Sequence, residues 1–399
     1  MRYINKIARL LVKSISLLLL AGILLVVVTS ISPIYNFSEP QPFEGNDIYN
    51  PYRYVDSTRQ WQRAAFHVHT RVEGPLNECE YWPEEVIEEY NRYNYDIVTF
   101  SNHNEITTHP EPSLQVNLYE HGYNILKFHK LVFGAEKVWY FDHLLPILAS
   151  QKQMQLDILA RQCDILQINH PLRTWALGSE QLSKLGGYHI MELDSGLSTE
   201  NEYWDVALSA GHYSYGMAND DLHYPDRSRA IAVRCNMVAS PSPYYEDIRQ
   251  TILDGGFYAM RLPDYGDGDF TIKEQRNKDI PYIESIGLRG DTIYISLSEQ
   301  ADSIKFIGAG HTTLAKQLSS NIAEYRLREE DSYARIIAYM EGGEVIYTNP
   351  FARYDSTASD TPFREPTHDV NILLTIIYNL VLLLLSAGVV TLIYKVVKR

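Results

Sequence analysis

Cysteine is scarce. Cys79, Cys163 and Cys235 are scattered through 399 residues, and no CxxC pair occurs. Neither a disulfide framework nor a thiolate zinc site can be built from them. The patterns GxxxxGKS/T and GxSxG are absent as well, which removes P-loop and nucleophile-elbow chemistry. Positive charge is also short, with 35 Lys and Arg against 50 Asp and Glu, a net charge of −15. Contact with a phosphate backbone wants a basic face, so long nucleic acid is not an expected partner. Low-complexity tracts are missing, and 21% charged with 12% aromatic residues reads as a folded chain. At roughly 100–200 residues per domain there is room for two or three.

What is present is unevenly distributed. Residues 14–31 (SISLLLLAGILLVVVTSI) and 370–394 (VNILLTIIYNLVLLLLSAGVVTLIY) carry no charge. About 20 such residues cross a hydrocarbon core of about 30 Å, so both runs are predicted transmembrane helices. Arg2, Lys6, Arg9 and Lys13 lie in the tail 1–13, and Lys395, Lys398 and Arg399 in the tail 395–399. Neither tail holds an acid. The positive-inside rule then puts both termini in the cytoplasm and everything between them outside, at the cell membrane. Setting those seven basic residues aside leaves 28 against 50 acidic ones, about −22 for the outer portion. A cleaved signal peptide is the competing reading of the first run, but no A-x-A site follows Val28.

Between the spans, 32–60 and 353–369 mix Pro, Ser, Asp and Tyr without apolar period and read as linkers. Over 61–262, short β-branched and aromatic runs (AAFHVHT, YDIVTFSNH, LVFGAEKV, DILQINHP, YHIMELD, YSYGMAND) alternate with amphipathic pieces such as WPEEVIEEYNRYN. Alternating β and α predicts a parallel sheet or barrel. From 275 to 352 the pattern becomes period two, with turn signals at Arg289-Gly290-Asp291 and Glu341-Gly342-Gly343. That predicts a small antiparallel β-sandwich. Asp264, Asp267 and Asp269 resemble a calcium loop but lack its later Glu, and read as a solvated turn.

Chemistry gathers where strand-like runs turn polar. His67 and His69 are two apart, hence on one face of a strand. His103 ends YDIVTFSNH, Glu136 ends LVFGAE with His143 shortly after, and His170 ends ILQINH. Asp221 and His223 follow YSYGMAND, again two apart. At the C-terminal rim of a parallel barrel such side chains converge. Imidazoles with carboxylates and no thiolates suit Zn, Mn or Fe, and so many suggest more than one ion. His109, His121, His129, His189, His212, His311 and His368 read as ordinary structural histidines.

These pieces together resemble the PHP (polymerase and histidinol phosphatase) family. The resemblance covers about 61–262. It rests on His67-Val68-His69-Thr70, Ser101-Asn102-His103-Asn104, Gly134-Ala135-Glu136, Asn169-His170-Pro171 and Asp220-Asp221-Leu222-His223. It implies an α/β fold: a distorted seven-stranded (β/α) barrel holding two or three divalent metal ions, here followed by the sandwich and flanked by one transmembrane helix at each end. Carried over by position, the ligands are His67, His69, His103, Glu136, His143, His170, Asp221 and His223. The family has an acid about five residues after HxH, and Glu73 takes that place, with Glu78 and Glu80 nearby. Asn102 stands where the family has Asp, a position that supports rather than binds.

The resemblance further implies hydrolysis of a phosphomono- or phosphodiester by metal-activated water. Asp221 and His223 would manage the proton. Arg173, preferred over Arg71, Arg227 and Arg229, would hold phosphate by bidentate hydrogen bonds. Small or surface-linked phosphate esters are the expected substrates, since an acidic surface repels polyanions. Hydrolysis of a non-phosphate bond, and a metal-stabilised scaffold at the cell surface, are the alternatives.

Overall fold

The computed structural model describes residues 2–56, 58, 60–73, 77–196, 198–199, 201–263, 265, 270–364 and 367–398. Asp264, Asp267 and Asp269 lie outside these. Two apolar helices, Arg2–Thr29 and Ile372–Lys398, bracket a mixed α/β assembly, and both are long and apolar enough to cross a membrane. They run antiparallel. Lys13 Nζ donates to Val397 O at one end, while at the other Ser32 N donates to Asn379 Oδ1 and Ile34 N to Thr375 Oγ1.

The two expected linkers are structured. Tyr35–Phe37 pairs antiparallel with His368–Val370 directly beside the helix ends, and Asp47–Tyr49 pairs with Phe351–Tyr354. Phe43, Tyr49 and Tyr52 are buried. Strands of three or four residues are too short to display a period, and burial of large aromatic rings holds them in place.

Beyond the two-stranded ladder beside the helix ends, the described strands form two larger sheets. One runs in the order Tyr215–Asn219, Ile190–Ser195, Ile165–Ile168, Lys130–Phe133 and Leu118–His121, with Ser198–Thr199 added off Ile190–Ser195. Its first two pairings are parallel, but Lys130–Phe133 is antiparallel to both its neighbours. That reversal decides which residues reach the site. Most of these strands are buried on both faces, so they read as continuous apolar runs rather than alternation.

The second sheet starts with Ile97–Val98 and Gln62–Ala65, a parallel pair, and continues antiparallel through Arg234–Val238 and Phe257–Arg261. The separate sandwich expected over 275–352 is corrected here. Its strands are antiparallel, yet Val345–Tyr347 joins them to Phe257–Arg261, so the ladder is continuous out to Ile283–Arg289. Val345–Tyr347 is buried throughout, which suits an interior strand rather than the edge of an independent domain. Two isolated parallel bridges, His103 with Glu120 and Val68 with Leu222, join the two sheets.

Local signals match the helices between. Pro83–Asn91 begins with Pro83, carries Glu84 and Glu85 in its first turn, and buries Val86 and Tyr90. Tyr245–Asp254 ends on Gly255 at φ 81°, a left-handed position; a Cβ there would also meet the Tyr215 ring at 2.7 Å. Helix Asn201–Ser209 docks on the second sheet through Asp205. The buried Arg335 donates to both its oxygens, at 2.9 and 2.5 Å, and Tyr333 Oη donates at 2.9 Å.

Candidate metal centre

The Val68–Leu222 bridge sets the register of the site. His69 N donates to Leu222 O and Leu222 N to His67 O. Because side chains alternate along extended chain, Val68 and Leu222 turn into the core, where both are fully buried. His67, His69, Asp221 and His223 are left on the other face.

Glu120, at the end of Leu118–His121, is the hub. Its Oε1 lies 3.3 Å from His67 Nε2, 3.2 Å from His129 Nδ1 and 3.5 Å from His170 Nε2. Its Oε2 lies 3.3 Å from His69 Nε2 and 3.1 Å from His103 Nε2. Asp221 Oδ1 adds contacts of 3.2 and 3.4 Å to His67 Nε2 and His69 Nε2. Glu78 closes the outer side, 3.1 Å from His103 Nε2 and 3.7 Å from His223 Nε2. Three sets of ligand-type atoms converge: His67, His69, Glu120 and Asp221; His69, Glu78 and His103; His103, Glu120 and His129.

Two observations fit this donor set to divalent cations. The Nε2 atoms of His67 and His69 are buried and make no hydrogen bond, although carboxylate oxygens surround them at 3.2–3.4 Å. Nitrogen and oxygen donors thus point to shared positions rather than to one another. The field also favours positive charge. Burial opposes protonation of His67, but Glu120, Asp221 and Glu192 outweigh it and push its pKa well above the ordinary imidazole value. Burial likewise opposes ionisation of Glu120 and Asp221, and the surrounding histidines outweigh it, holding both far below the usual carboxylate range. His103, where burial dominates, is pushed down to about 4 and presents a neutral imidazole, the form that binds metal.

Supporting contacts orient the ligand groups. Glu192 Oε1 accepts from His67 Nδ1 at 2.9 Å and from Asn219 Nδ2 at 3.0 Å, while its Oε2 accepts from His170 N at 2.8 Å. Asn169 Nδ2 donates to Glu120 Oε1 at 2.8 Å. Asn102 points away from the cluster and ties Thr70 down: its Oδ1 accepts from Thr70 N, and its Nδ2 donates to Thr70 Oγ1. Arg173 Nη1 lies 2.5 Å from Asp221 Oδ2. Asn104, His170 and Asp221 all hold positive φ, at 50°, 27° and 51°. Such backbone costs about 1–3 kcal/mol each and persists where the surroundings fix it.

Of the residues expected from sequence, His67, His69, His103, His170, Asp221, His223 and Arg173 come together. Glu136, His143 and Glu73 do not. Lys130–Phe133 runs antiparallel to Leu118–His121, so its C-terminal end, which leads to Glu136, faces away from the site. Glu136 is exposed there, and Glu120 holds the inner acidic position instead. His129, expected to be an ordinary structural histidine, comes into the site from the start of the same strand. His143 is buried against the end of the N-terminal helix, its Nδ1 2.5 Å from Thr29 O. Glu73 is exposed, and Glu78 faces the cluster. Glu120 was hidden because LYEH is buried on both faces and shows no alternation. Of the other expected arginines, Arg71 lies over the Trp82 ring and Arg227 over Tyr224.

A cavity of about 710 Å³ lies elsewhere, lined by Arg161, His189, His212, Tyr213, Phe363 and Arg364 among others, and none of the clustered residues borders it.

No family model matches the sequence, and no curated protein does. Among solved structures the chain is similar to a two-domain protein from Bacteroides vulgatus containing a predicted PHP-like metal-dependent phosphoesterase. The identity is 13%, over 79% of this chain and all of that one, with a TM-score of 0.36.

Proposed function

We propose that this chain is a membrane-anchored, metal-dependent phosphoesterase of the PHP type, with its catalytic portion outside the cytoplasm. The observation that carries the reading is the convergence of His67, His69, His103, His129, Glu78, Glu120 and Asp221, whose ligand atoms fall into three overlapping sets. Two or three divalent ions, Zn, Mn or Fe, fit those sets. The two isolated bridges, which join the sheets that bear these residues, support reading the fold as the family's distorted seven-stranded barrel.

Such ions, when bound, neutralise phosphate charge and make water acidic enough to act as a nucleophile near neutral pH. The protein supplies the rest. Arg173, beside Asp221 and a third exposed, presents its remaining donors to a phosphate oxygen. The oxygen of water bonds to phosphorus, the bond from phosphorus to the leaving oxygen breaks, and that oxygen takes up a proton. Asp221 is held ionised and cannot donate it. His223, with Nδ1 on Asp221 O at 2.7 Å, is the proton carrier in this reading.

Support for anchoring with both termini in the cytoplasm is that the two apolar helices run antiparallel with basic residues at the shared end of both. The test uses the full chain, purified in detergent. Elemental analysis is expected to give at least two ions per chain, with turnover on a panel of phosphomono- and phosphodiesters. Both should be lost in the His67→Ala/His69→Ala double variant. A wild-type chain that binds no metal sinks the proposal.

A further inference from the structure

The loops that build the mouth of the metal centre are the loops that rest on the ends of the apolar helices. Leu144 N donates to Thr29 Oγ1 and Gln151 Nε2 to Ser30 O, as His143 meets Thr29 O. From there the bonding leads straight to the site. Tyr123 N donates to Asp142 Oδ2, and the Tyr123 hydroxyl donates to His103 O, with its ring 4.8 Å from the His103 ring. Ile125 N donates to Leu144 O, and Trp175 N to Leu126 O, two residues beyond Arg173. The metal centre is therefore only two or three hydrogen-bonded contacts from the point where the chain leaves the first helix.

Those same loops expose apolar side chains. Trp175 is 66% exposed, Tyr140 74%, Ile125 56% and Ile147 53%, with Leu172 and Phe141 also open. Lys127, exposed, sits between Ile125 and His129. Soluble surfaces rarely gather so many large apolar groups, and a Trp and Tyr rim at a helix end is the composition of a membrane interface.

We infer that this rim rests in the bilayer surface and that the metal centre takes its phosphate ester from a membrane lipid. The headgroup phosphate enters between Arg173 and His103 while the acyl chains stay in the leaflet against Ile125, Leu172 and Trp175. The inference rests on the phosphoesterase reading above and adds the source of the substrate. It also accounts for an acidic outer portion acting on an anionic substrate, because the approach is lateral, past Lys127 and Arg173, rather than through the bulk.

The test is made on the full chain in phosphatidylcholine nanodiscs doped with phosphatidic acid, beside the same discs without it supplied with a short-chain, water-soluble phosphatidic acid. A Trp175→Ser/Tyr140→Ser variant and a milder Trp175→Phe variant are compared with the wild type by the ratio of lipid to soluble turnover. The expected result is that the double variant lowers this ratio about tenfold or more and that Trp175→Phe holds it within about twofold, a tenfold change being about 1.4 kcal/mol. Soluble turnover with no lipid turnover, or a ratio unmoved in the double variant, overturns the lipid inference and leaves the phosphoesterase standing; a rim that instead joins two copies of the chain would give that unmoved ratio. Turnover of neither phosphatidic acid overturns the lipid inference, and a metal-loaded protein that also turns over none of the ester panel overturns both.

Discussion

His67 Nδ1 sits 2.9 Å from Glu192 Oε1, and both residues are fully buried. With a cation at the centre, that contact would hold the imidazole proton on Nδ1 and leave Nε2, which faces Glu120 and Asp221, as the lone-pair donor. Glu192→Gln should keep the fold, since Gln can replace part of the bonding to His170 N and Asn219. It should weaken metal binding by about 10–100-fold. A competition titration against a chelator of known affinity reads this directly; an unchanged affinity would deny Glu192 its positioning role.

The reversed strand gives a paired test. Glu120→Gln and His129→Ala are expected to lower bound metal and to cut turnover about a hundredfold or more. Glu136→Gln and Glu73→Gln should leave metal content unaltered, because both side chains are exposed and neither belongs to the three converging sets. Elemental analysis of the four purified variants decides between Glu120 and the two exposed acids.

Stability at low pH should track Asp205. Burial raises its pKa, but Arg335, His311 and Tyr333 outweigh that and hold the folded value below the unfolded one. Asp205 therefore contributes stability that is present in full above pH about 4 and lost as pH falls toward the folded value. Asp205→Asn should flatten the acid limb of a denaturant-midpoint profile. Arg335→Met alone leaves the Asp205 charge buried and should cost about 3–5 kcal/mol at neutral pH.

Chelation should lower the melting temperature, and added divalent ion should restore it. Ions bound at 100 times their dissociation constant contribute about 2.7 kcal/mol per site. The Glu120→Gln variant is expected to melt at a temperature that no longer responds to chelator. A wild-type midpoint indifferent to chelator would count against metal at this site.

The strand pair beside the helices can be locked. Asn36 lies opposite Asp369, and facing antiparallel residues lie at a separation that a disulfide spans. Asn36→Cys/Asp369→Cys should oxidise to a cross-link visible as a mobility shift after proteolysis between the two positions. Separate bands under non-reducing conditions would show that the two flanks do not meet.

Much of the cluster was legible because its ligand-type residues come as spaced pairs. His67 with His69, and Asp221 with His223, declare a shared face from spacing alone, and the bridge between Val68 and Leu222 puts the two pairs together. Glu120 and His129 were not legible for one reason. Reading strand ends as ligand positions presumes parallel strands, and Lys130–Phe133 runs the other way, so its useful end is its beginning. The two apolar helices were plain from their lack of charge. The joining of the late strands to the earlier sheet was not, since pairing through Val345–Tyr347 leaves no mark in a three-residue stretch.

The short ladder between Tyr35–Phe37 and His368–Val370 has a mechanical consequence. A domain on a single stalk sweeps a cone and can spin about its attachment. Here two stalks leave neighbouring helices and are bonded to each other before they diverge, so twisting one requires twisting both. The result acts as a fixed mount rather than a tether. In the proposed membrane setting, reach is given up for constant height and bearing, and the protein must find its targets by drifting in the plane of the sheet it stands on.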